Sequence, residues 1–245
     1  PKTVFTLHTS YQLLSLRDKL ILKFFRSKIE SIICCGEHVY NNLPFKNENK
    51  ISIIVNGIEI PYMSKELKKK YDFYFAGRFV EGKNIEKSIE LFNLIKPVQI
   101  KLLNLFGDGP LFNLLKKKYL DFDQIIFHGQ LPRGILYQKI NDFNFYLSLS
   151  QGEGLPISCI EALLMGSRLI LSDIGPHHEI KNNFPERVFL INLKIPTENQ
   201  VKKLQSFLNL NLGWSKVTYD KIYNLYGLRR MKNDYKVLYK KILDE

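Results

Sequence analysis

The sequence predicts an α/β protein whose parallel strands form doubly wound sheets with helices on both faces. Three observations support this fold class. Apolar segments of strand length recur along the chain, segments with helical spacing of apolar residues lie between them, and several of the strands are apolar without alternation. Strands of this last kind are typical of parallel sheets, because helices cover both faces. The repeated strand–helix order is typical of a Rossmann-like sheet.

The apolar pattern places the elements as follows. Strands are expected at Val4–Leu7, Ser31–Cys34, Ile51–Val55, Phe73–Ala76, Ile100–Phe106, Gln124–Phe127, Phe143–Leu149, Leu169–Ser172 and Val188–Ile191. Helices are expected at Leu13–Ser27, Asn84–Leu94, Pro110–Tyr119, Gly134–Asn141 and Pro156–Met165, and one or two helices at Thr218–Leu243.

A domain boundary is expected within residues 56–70. Asn56-Gly57 is a turn signal, Pro61 breaks structure, and residues 65–70 are mostly charged. The six strands after the boundary suffice for one complete Rossmann-like domain, whereas the three before it form only the C-terminal part of a second. The predicted domains are therefore 1–58, 59–215 and a closing helical segment, 216–245.

Composition narrows the function classes. With 45% hydrophobic residues among 245, disorder is excluded. Lys and Arg number 36 against 24 Asp and Glu, so the net charge of +12 favours an anionic partner such as nucleic acid, anionic lipid or a phosphorylated small molecule. A general bias of composition explains the charge equally well. Three cysteines without metal-binding spacing indicate a reducing compartment and argue against a structural zinc site. No apolar run is long enough to predict a transmembrane helix.

The segment FAGRFVEGKN joins a predicted strand to a predicted helix. In an open α/β sheet, ligands bind outside the carboxyl ends of the strands, which is where Gly77, Arg78 and Lys83 fall. Glycine allows close approach of a ligand, and two cations at one edge suit a diphosphate. The alternative is a solvated turn with two surface cations.

Two further strand ends carry glycines. Gly107 and Gly109 precede a helix in LNLFGDGP, where they would permit a ligand to approach the backbone or would simply form a tight turn. The pattern lacks the GxGxxG of a nicotinamide site. In IIFHGQLPR, His128 is either catalytic or an ordinary surface residue, and the backbone of Gln130 and Leu131 could contact a base.

The segment LSLSQGEGLPISCIEALLMG is the most informative. A glycine-rich loop precedes a helix expected to begin at Pro156, and Glu161 lies at the edge of the apolar stripe of that helix. Burial of a lone carboxylate is costly unless it is hydrogen-bonded, and helical side chains tilt toward the N-terminus. A pair of ligand hydroxyls would satisfy Glu161. Otherwise it lies at an open helix edge or accepts from a neighbouring backbone N–H.

These motifs together resemble the nucleotide-sugar-dependent glycosyltransferases of family 4, which have the GT-B fold. Glu153 and Glu161 form E-x7-E, and FAGRFVEGKN, FGDGP and FHGQLP precede them in the family's order. The match runs from Lys50 to about Pro176. TLHTS is similar to the strand-end His segment of the N-terminal domain, VNGIEI to the linker, with Val55 where proline is usual, and RRMKNDYKVLYKKIL to the segment that returns to the N-terminal domain.

The resemblance implies a role for each matching residue. Arg78 and Lys83 would hold the donor diphosphate, Glu161 the ribose hydroxyls, and Glu153 the sugar, while His8 would approach the sugar from the other domain. The implied catalytic residues are Glu153, Arg78, Lys83 and His8. The implied donor-binding residues are Gly77, Arg78, Lys83, Gly107, Gly109, Gly129, Gln130, Leu131, Glu153, Gly154, Leu155, Pro156 and Glu161.

The resemblance also implies the activity. The chain would be a retaining hexosyltransferase without a metal or other cofactor, moving a sugar from a nucleotide-diphosphate sugar to a glycan or lipid-linked acceptor in polysaccharide or glycoconjugate synthesis. We expect it in the cytoplasm, either free or peripheral at the inner face of the membrane. A complete member would carry several more N-terminal βα units, so a fragment or a shortened form is expected. The alternatives are a nucleotide-sugar 2-epimerase of the same fold and a basic nucleic-acid-binding module.

Overall fold

The computed structural model describes residues 2–45, 49–60, 62, 72–95, 102–192 and 198–244. The chain divides into two compact units. Unit 1 comprises Pro1–Glu59, Gly152–Ile157 and Lys221–Glu245, and unit 2 comprises Ile60–Gln151 and Ser158–Asp220.

Unit 2 is built on a six-stranded, fully parallel sheet. Its strands are β4 (Phe73–Ala76), β5 (Leu103–Phe106), β6 (Ile125–Gly129), β7 (Phe145–Ser148), β8 (Arg168–Ser172) and β9 (Val188–Ile191). They lie in the order β6-β5-β4-β7-β8-β9. Because the chain moves outward from β4 in one direction and returns to build outward from β7 in the other, this is the doubly wound order of a Rossmann-like domain. The predicted α/β fold class is confirmed.

The helices of unit 2 follow its strands. They are α3 (Ile85–Ile95), α4 (Phe112–Lys118), α5 (Arg133–Ile140), α6 (Ile157–Leu164, whose first residue falls in unit 1), α7 (Gly175–Asn183), α8 (Glu198–Leu208) and the first part of α9 (Lys216–Tyr226). Apolar residues of α3, α4 and α8 pack with Phe73, Leu105, Leu147 and Ile170 of the sheet into one continuous hydrophobic core. Helices α7 and α8 were not predicted from the sequence.

Unit 1 contains a three-stranded parallel sheet in the order β1-β2-β3, from β1 (Val4–Leu7), β2 (Ser31–Cys34) and β3 (Ile51–Ile53). The connecting helices are α1 (Leu16–Phe25) and the unpredicted α2 (Glu37–Asn41). Strand β2 is buried throughout, whereas β1 and β3 are only partly buried. All nine predicted strands are therefore present, and the ends of five of them differ from the prediction. Strand β3 ends at Ile53 rather than Val55, and the predicted start of β5 at Ile100 lies outside the described residues. Strand β6 is Ile125–Gly129 rather than Gln124–Phe127, β7 is Phe145–Ser148 rather than Phe143–Leu149, and β8 begins at Arg168 rather than Leu169.

The closing segment forms two helices, α9 and α10 (Leu228–Asp244), separated at Gly227. The linker pairs with this break, because the N–H of Ile58 donates to the Tyr226 carbonyl at 2.8 Å and the N–H of Leu228 donates to the Ile58 carbonyl at 2.9 Å. A Cβ at Gly57 would contact the Gly227 carbonyl oxygen at 2.8 Å, which explains the glycine. The Asn56-Gly57 turn signal therefore marks the linker's contact with α10.

The predicted helix Leu13–Ser27 is interrupted. A 3-10 turn at Tyr11–Leu13 ends before α1, which begins after Ser15. The Ser15 hydroxyl accepts a hydrogen bond from the Asp18 N–H at 3.1 Å and thereby caps the helix. The sequence pattern missed this stop because the apolar spacing continues through the cap.

Candidate active site

The candidate site of unit 2 lies where the order of its sheet reverses, at the carboxyl ends of β4 and β7. Ligands of doubly wound sheets bind at this position. The segments that leave the two strands are joined directly, since the N–H of Gln151 donates to the carbonyl of Gly82 at 2.9 Å. The end of β4 is also tied to α6, because the Tyr146 hydroxyl contacts the Ala76 carbonyl at 3.4 Å and Ser158 Oγ at 2.9 Å.

An aromatic anchor fixes the turn that carries the two predicted cations. Phe79 is fully buried, with ring centroids 5.1 Å from Phe112 and 5.9 Å from Phe75. Arg78, immediately before it, is exposed, and Lys83 ends the short 3-10 turn Glu81–Lys83 with partial burial. Because Phe79 and this turn hold the backbone, both cationic residues lie on a fixed segment at the ligand edge. No motif in the sequence indicated Phe79 as a residue of the site.

The glycines at the neighbouring strand ends serve backbone packing. Gly107 has φ +126°, and a Cβ there would overlap the Gly77 carbonyl oxygen. Gly109 has φ +152° and would meet the Phe79 carbonyl oxygen at 2.6 Å. The N–H of Gly107 already donates to the Gly129 carbonyl at 2.8 Å. This hydrogen bond within the protein favours the tight-turn alternative for Gly107, and its place in the donor site stays a prediction. The glycine allows three strand ends to approach closely.

The third strand end, after β6, presents Gly129, Gln130 and Leu131. Gly129 has φ +73°, Gln130 is exposed and Leu131 is partly buried. His128, just before them, stacks on Phe106 at 4.4 Å between ring centroids, and its Nε2 lies 2.8 Å from Asn104 Oδ1. Burial lowers the His128 pKa below its usual value, with a smaller contribution from the positive charge of Lys139. These contacts give His128 a packing role beneath the turn.

Glu161 lies on α6, and its side chain is only 13% exposed. The carboxylate accepts a hydrogen bond from the Tyr137 hydroxyl at 2.8 Å and one from Arg133 Nη2 at 3.2 Å. Both bonds end on Oε1, and Oε2 accepts none from any described residue. The sequence expected either ligand hydroxyls or a backbone N–H as its partner, and it named neither of these side chains. Their i, i+4 spacing in RGILY is the signal that could have indicated a shared face of α5.

In unit 1 the structure brings His8 and Gly154 together. A Cβ at Gly154 would overlap the His8 carbonyl oxygen and would lie 2.9 Å from Thr9 Cα, so only glycine fits. His8 is exposed, and the Asn56 amide lies 3.4 Å from its Nδ1. Glu153 is partly buried, whereas Leu155 and Pro156 are buried. The loop following β7 is therefore held against the end of β1.

The predicted site residues fall into two groups. Unit 2 contains Gly77, Arg78, Lys83, Gly107, Gly109, Gly129, Gln130 and Leu131 at or after the carboxyl ends of β4, β5 and β6, together with Glu161 on α6, and unit 1 contains His8, Glu153, Gly154, Leu155 and Pro156. The unpredicted residues are Phe79, Arg133 and Tyr137. Their signals were an apolar residue directly after Arg78 and a helix directly after a loop expected to contact the base.

The sequence that forms unit 2 matches a known protein family. The sequence profile described as Glycosyl transferases group 1 matches residues 59–216, which is more than half of the chain and includes every site residue of unit 2. The chain belongs to this family. The family predicted from the sequence motifs is therefore confirmed.

Two of the curated relatives have names that refer to the synthesis of surface polysaccharides. The chain is 26% identical over 165 residues to the O-antigen biosynthesis glycosyltransferase WbnH of Escherichia coli, covering 65% of this chain and 47% of WbnH. It is 26% identical over 198 residues to the capsular polysaccharide biosynthesis glycosyltransferase CapH of Staphylococcus aureus, covering 77% of this chain and 55% of CapH. The chain thus spans about half the length of the curated relatives it matches.

Solved glycosyltransferases share the fold. A variant of Staphylococcus aureus TarM, crystallised with fondaparinux, alpha-GlcNAc-glycerol and UDP, matches with a TM-score of 0.77 and 19% identity, covering 97% of this chain and 50% of TarM. Anabaena HepE, in complex with UDP and glucose, matches with a TM-score of 0.74 and 14% identity, covering 97% of this chain and 71% of HepE. The GT-B type of the fold is thereby confirmed.

Within the described ranges, no helix is both long and apolar enough to cross a bilayer.

Proposed function

We propose that the chain carries the donor-binding part of a retaining hexosyltransferase that moves a sugar from a nucleotide-diphosphate sugar to a glycan or lipid-linked acceptor. One observation carries the proposal. Glu161, nearly buried and with Oε2 open among the described contacts, lies in the same unit as Arg78 and Lys83, on the helix that follows the glycine-rich loop after β7. A carboxylate for a ribose diol and two cations for a diphosphate are the complements that a nucleoside diphosphate requires.

The cations also suit the chemistry of transfer. When the bond between the sugar and the diphosphate breaks, negative charge grows on the leaving nucleotide. Fixed positive charges at that point stabilise the transition state more than the ground state, because they face the charge as it develops. Arg78 can donate as a fork and Lys83 as a point charge, so the proposed reaction proceeds without a bound metal.

Several finer assignments belong to the same proposal. Residues 1–58 form part of an N-terminal, acceptor-side domain, residues 59–215 the donor domain and residues 216–245 the returning helices. Uridine diphosphate is the first nucleotide to test, because the TarM and HepE complexes contain it. Glu153 would contact the transferred sugar and His8 would approach it. We propose synthesis of surface polysaccharide or a glycoconjugate, in the cytoplasm or peripherally at the inner face of the membrane.

The decisive experiment separates the two glutamates. Glu161→Ala should weaken free UDP and the intact UDP-sugar alike, since the ribose is common to both. Glu153→Ala should leave UDP nearly unaffected and weaken only the intact donor. The expected loss is ~1.5–3 kcal/mol where a charged hydrogen bond disappears. Calorimetric titration of both variants with UDP, GDP and their sugar conjugates measures this, and Gln replacements separate charge from volume.

Three outcomes would contradict the proposal. If Glu153→Ala weakens bare nucleotide and Glu161→Ala does not, the donor lies elsewhere. If Glu161→Ala only lowers the melting temperature, its role is structural. If excess EDTA abolishes binding of the nucleotide and Mn²⁺ restores it, the metal-independent assignment is wrong.

A further inference from the structure

The side chains that face Glu161 from α5 suggest a function for that helix. Tyr137 and Arg133 lie one helical turn apart, so both reach the same carboxylate. We propose that Tyr137 is a positioning residue: its hydroxyl holds Oε1 of Glu161, so that Oε2 is presented to the ribose hydroxyls of the bound nucleotide. This inference rests on the proposed function and adds the residue that orients the ribose-binding carboxylate.

Tyr137 is the stronger of the two contacts. Its hydroxyl lies 2.8 Å from Oε1, whereas Arg133 lies at 3.2 Å with a side chain that is 74% exposed. Ion pairs so exposed to water are screened and contribute little. Burial, and then the negative charge of Glu161, raise the Tyr137 pKa above its usual value. The phenol therefore keeps its proton and acts as a hydrogen-bond donor throughout the physiological range.

The position of α5 connects this contact to the rest of the donor edge. The helix begins at Arg133, two residues after Leu131, whose backbone is expected to meet the base. Helix α6, which carries Glu161, is held at its start, because the Tyr146 hydroxyl bonds Ser158 Oγ at 2.9 Å. The segment just after the helix is held by the buried Tyr74 hydroxyl, which lies 3.3 Å from Ser167 Oγ. With α6 held in place, the contact with Tyr137 sets the direction of the Glu161 carboxylate.

The test uses a probe that lacks the ribose hydroxyls. Tyr137→Phe removes only the phenol oxygen, and calorimetry compares UDP with 2′,3′-dideoxy-UDP. We expect the variant to bind UDP about tenfold more weakly, while its affinity for dideoxy-UDP stays within about twofold of the wild type. A loss of packing would affect both ligands equally, so the ratio of the two affinities distinguishes positioning from structure.

Two further variants complete the test. Tyr119→Phe is the matched control, because the Tyr119 hydroxyl also lies near a carboxylate, 3.4 Å from Glu86 Oε1, at the C-terminal end of α4. It should leave both affinities unchanged. In a Glu161→Gln background, Tyr137→Phe should cost little more, because its effect acts through the carboxylate.

The possible outcomes distinguish a failure of the inference about Tyr137 from a failure of the proposed function. If wild-type protein binds neither UDP nor GDP, the proposed function fails and the inference fails with it. If wild-type protein prefers UDP to dideoxy-UDP but Tyr137→Phe retains that preference in full, the proposed function stands and the inference is overturned. Equal losses for both ligands, or full additivity with Glu161→Gln, would also overturn it.

Discussion

Helices α6 and α1 both carry several large apolar residues, yet these residues are buried in α6 and mostly exposed in α1. In α6 five residues are buried: Cys159, Ile160, Ala162, Leu163 and Leu164. In α1 only Leu22 is buried, and Leu16 and Phe24 are 75% and 70% exposed. The difference shows that apolar spacing predicts which helix forms but not whether it is covered. Unit 2 supplies a six-stranded sheet for its helices, whereas the described part of unit 1 supplies three strands.

The largest expected effect comes from the packed strand ends of unit 2. Gly107→Ala places a Cβ against the Gly77 carbonyl at a positive φ, so we expect a loss of at least ~3 kcal/mol in the free energy of unfolding. Denaturant unfolding measures it. Gly134→Ala is the matched control, since nothing lies within 4 Å of its Cβ and it sits in α5, where alanine should stabilise by about 0.5–1 kcal/mol. Equal effects at both positions would refute the packing argument.

A matched pair of leucines tests the comparison of the two helices directly. Leu163→Ala in α6 removes a fully buried side chain and should cost ~2–5 kcal/mol of unfolding free energy. Leu16→Ala in α1 should remain within about 0.5 kcal/mol of the wild type, because its side chain is exposed. Thermal unfolding of both variants is the measurement. A loss above 2 kcal/mol for Leu16→Ala would show that α1 is covered in solution.

The cations of the donor edge should affect binding rather than folding. Arg78→Ala and Lys83→Ala should each weaken UDP about tenfold or more and uridine hardly at all, because their charge meets the phosphates. Lys87→Ala, which breaks an exposed pair with Glu90, is the surface control and should change neither. Equal losses for UDP and uridine would place the two cations away from the diphosphate.

The smallest effect concerns pH. Burial lowers the His128 pKa in the folded protein below its ordinary value near 6.5, so between these two values the unfolded chain binds a proton that the native state does not. Stability should therefore fall as pH falls below about 6.5, and His128→Gln should lose part of that dependence. Chemical denaturation at pH 7.5 and pH 5.5 compares the slopes. An unchanged slope in the variant would mean that His128 titrates normally.

The sequence predicted the parts of the fold that repeat a pattern. The nine strands were found because short, mostly apolar segments recur along the chain between turn signals and helical patterns. Helix α7, GPHHEIKNN, was missed because glycine, proline and asparagine are poor helix formers. It forms nevertheless, with Pro176, His177 and Ile180 buried against its unit. Tertiary packing here outweighs local preference, which no pattern within the segment reveals.

The sequence likewise predicted some residues of the candidate site and missed others. Motif residues such as Arg78 and Glu161 could be named because their spacing and strand-end positions carry the chemistry. Tyr137 could not be named, because its role depends on how α5 and α6 pack. Strand β7 and its flanking segments lie between Tyr137 and Glu161 in the sequence. Gly107 could be named from its motif, but its packing could not be predicted, because the bond of its amide to the Gly129 carbonyl and the close approach of Gly77 depend on how the strand ends meet.

The most direct test of the central claim, that unit 2 binds the donor nucleotide, is amide hydrogen exchange with and without saturating UDP. Bound ligand slows exchange of the amides that it covers. If unit 2 binds UDP as we propose, amide exchange should be slower at Arg78–Lys83, at Gly129–Arg133 and along α6. Slower exchange confined to unit 1, for example beside the cavity of about 580 Å³ that Ile53, Asp234 and Lys241 help to line, would contradict it.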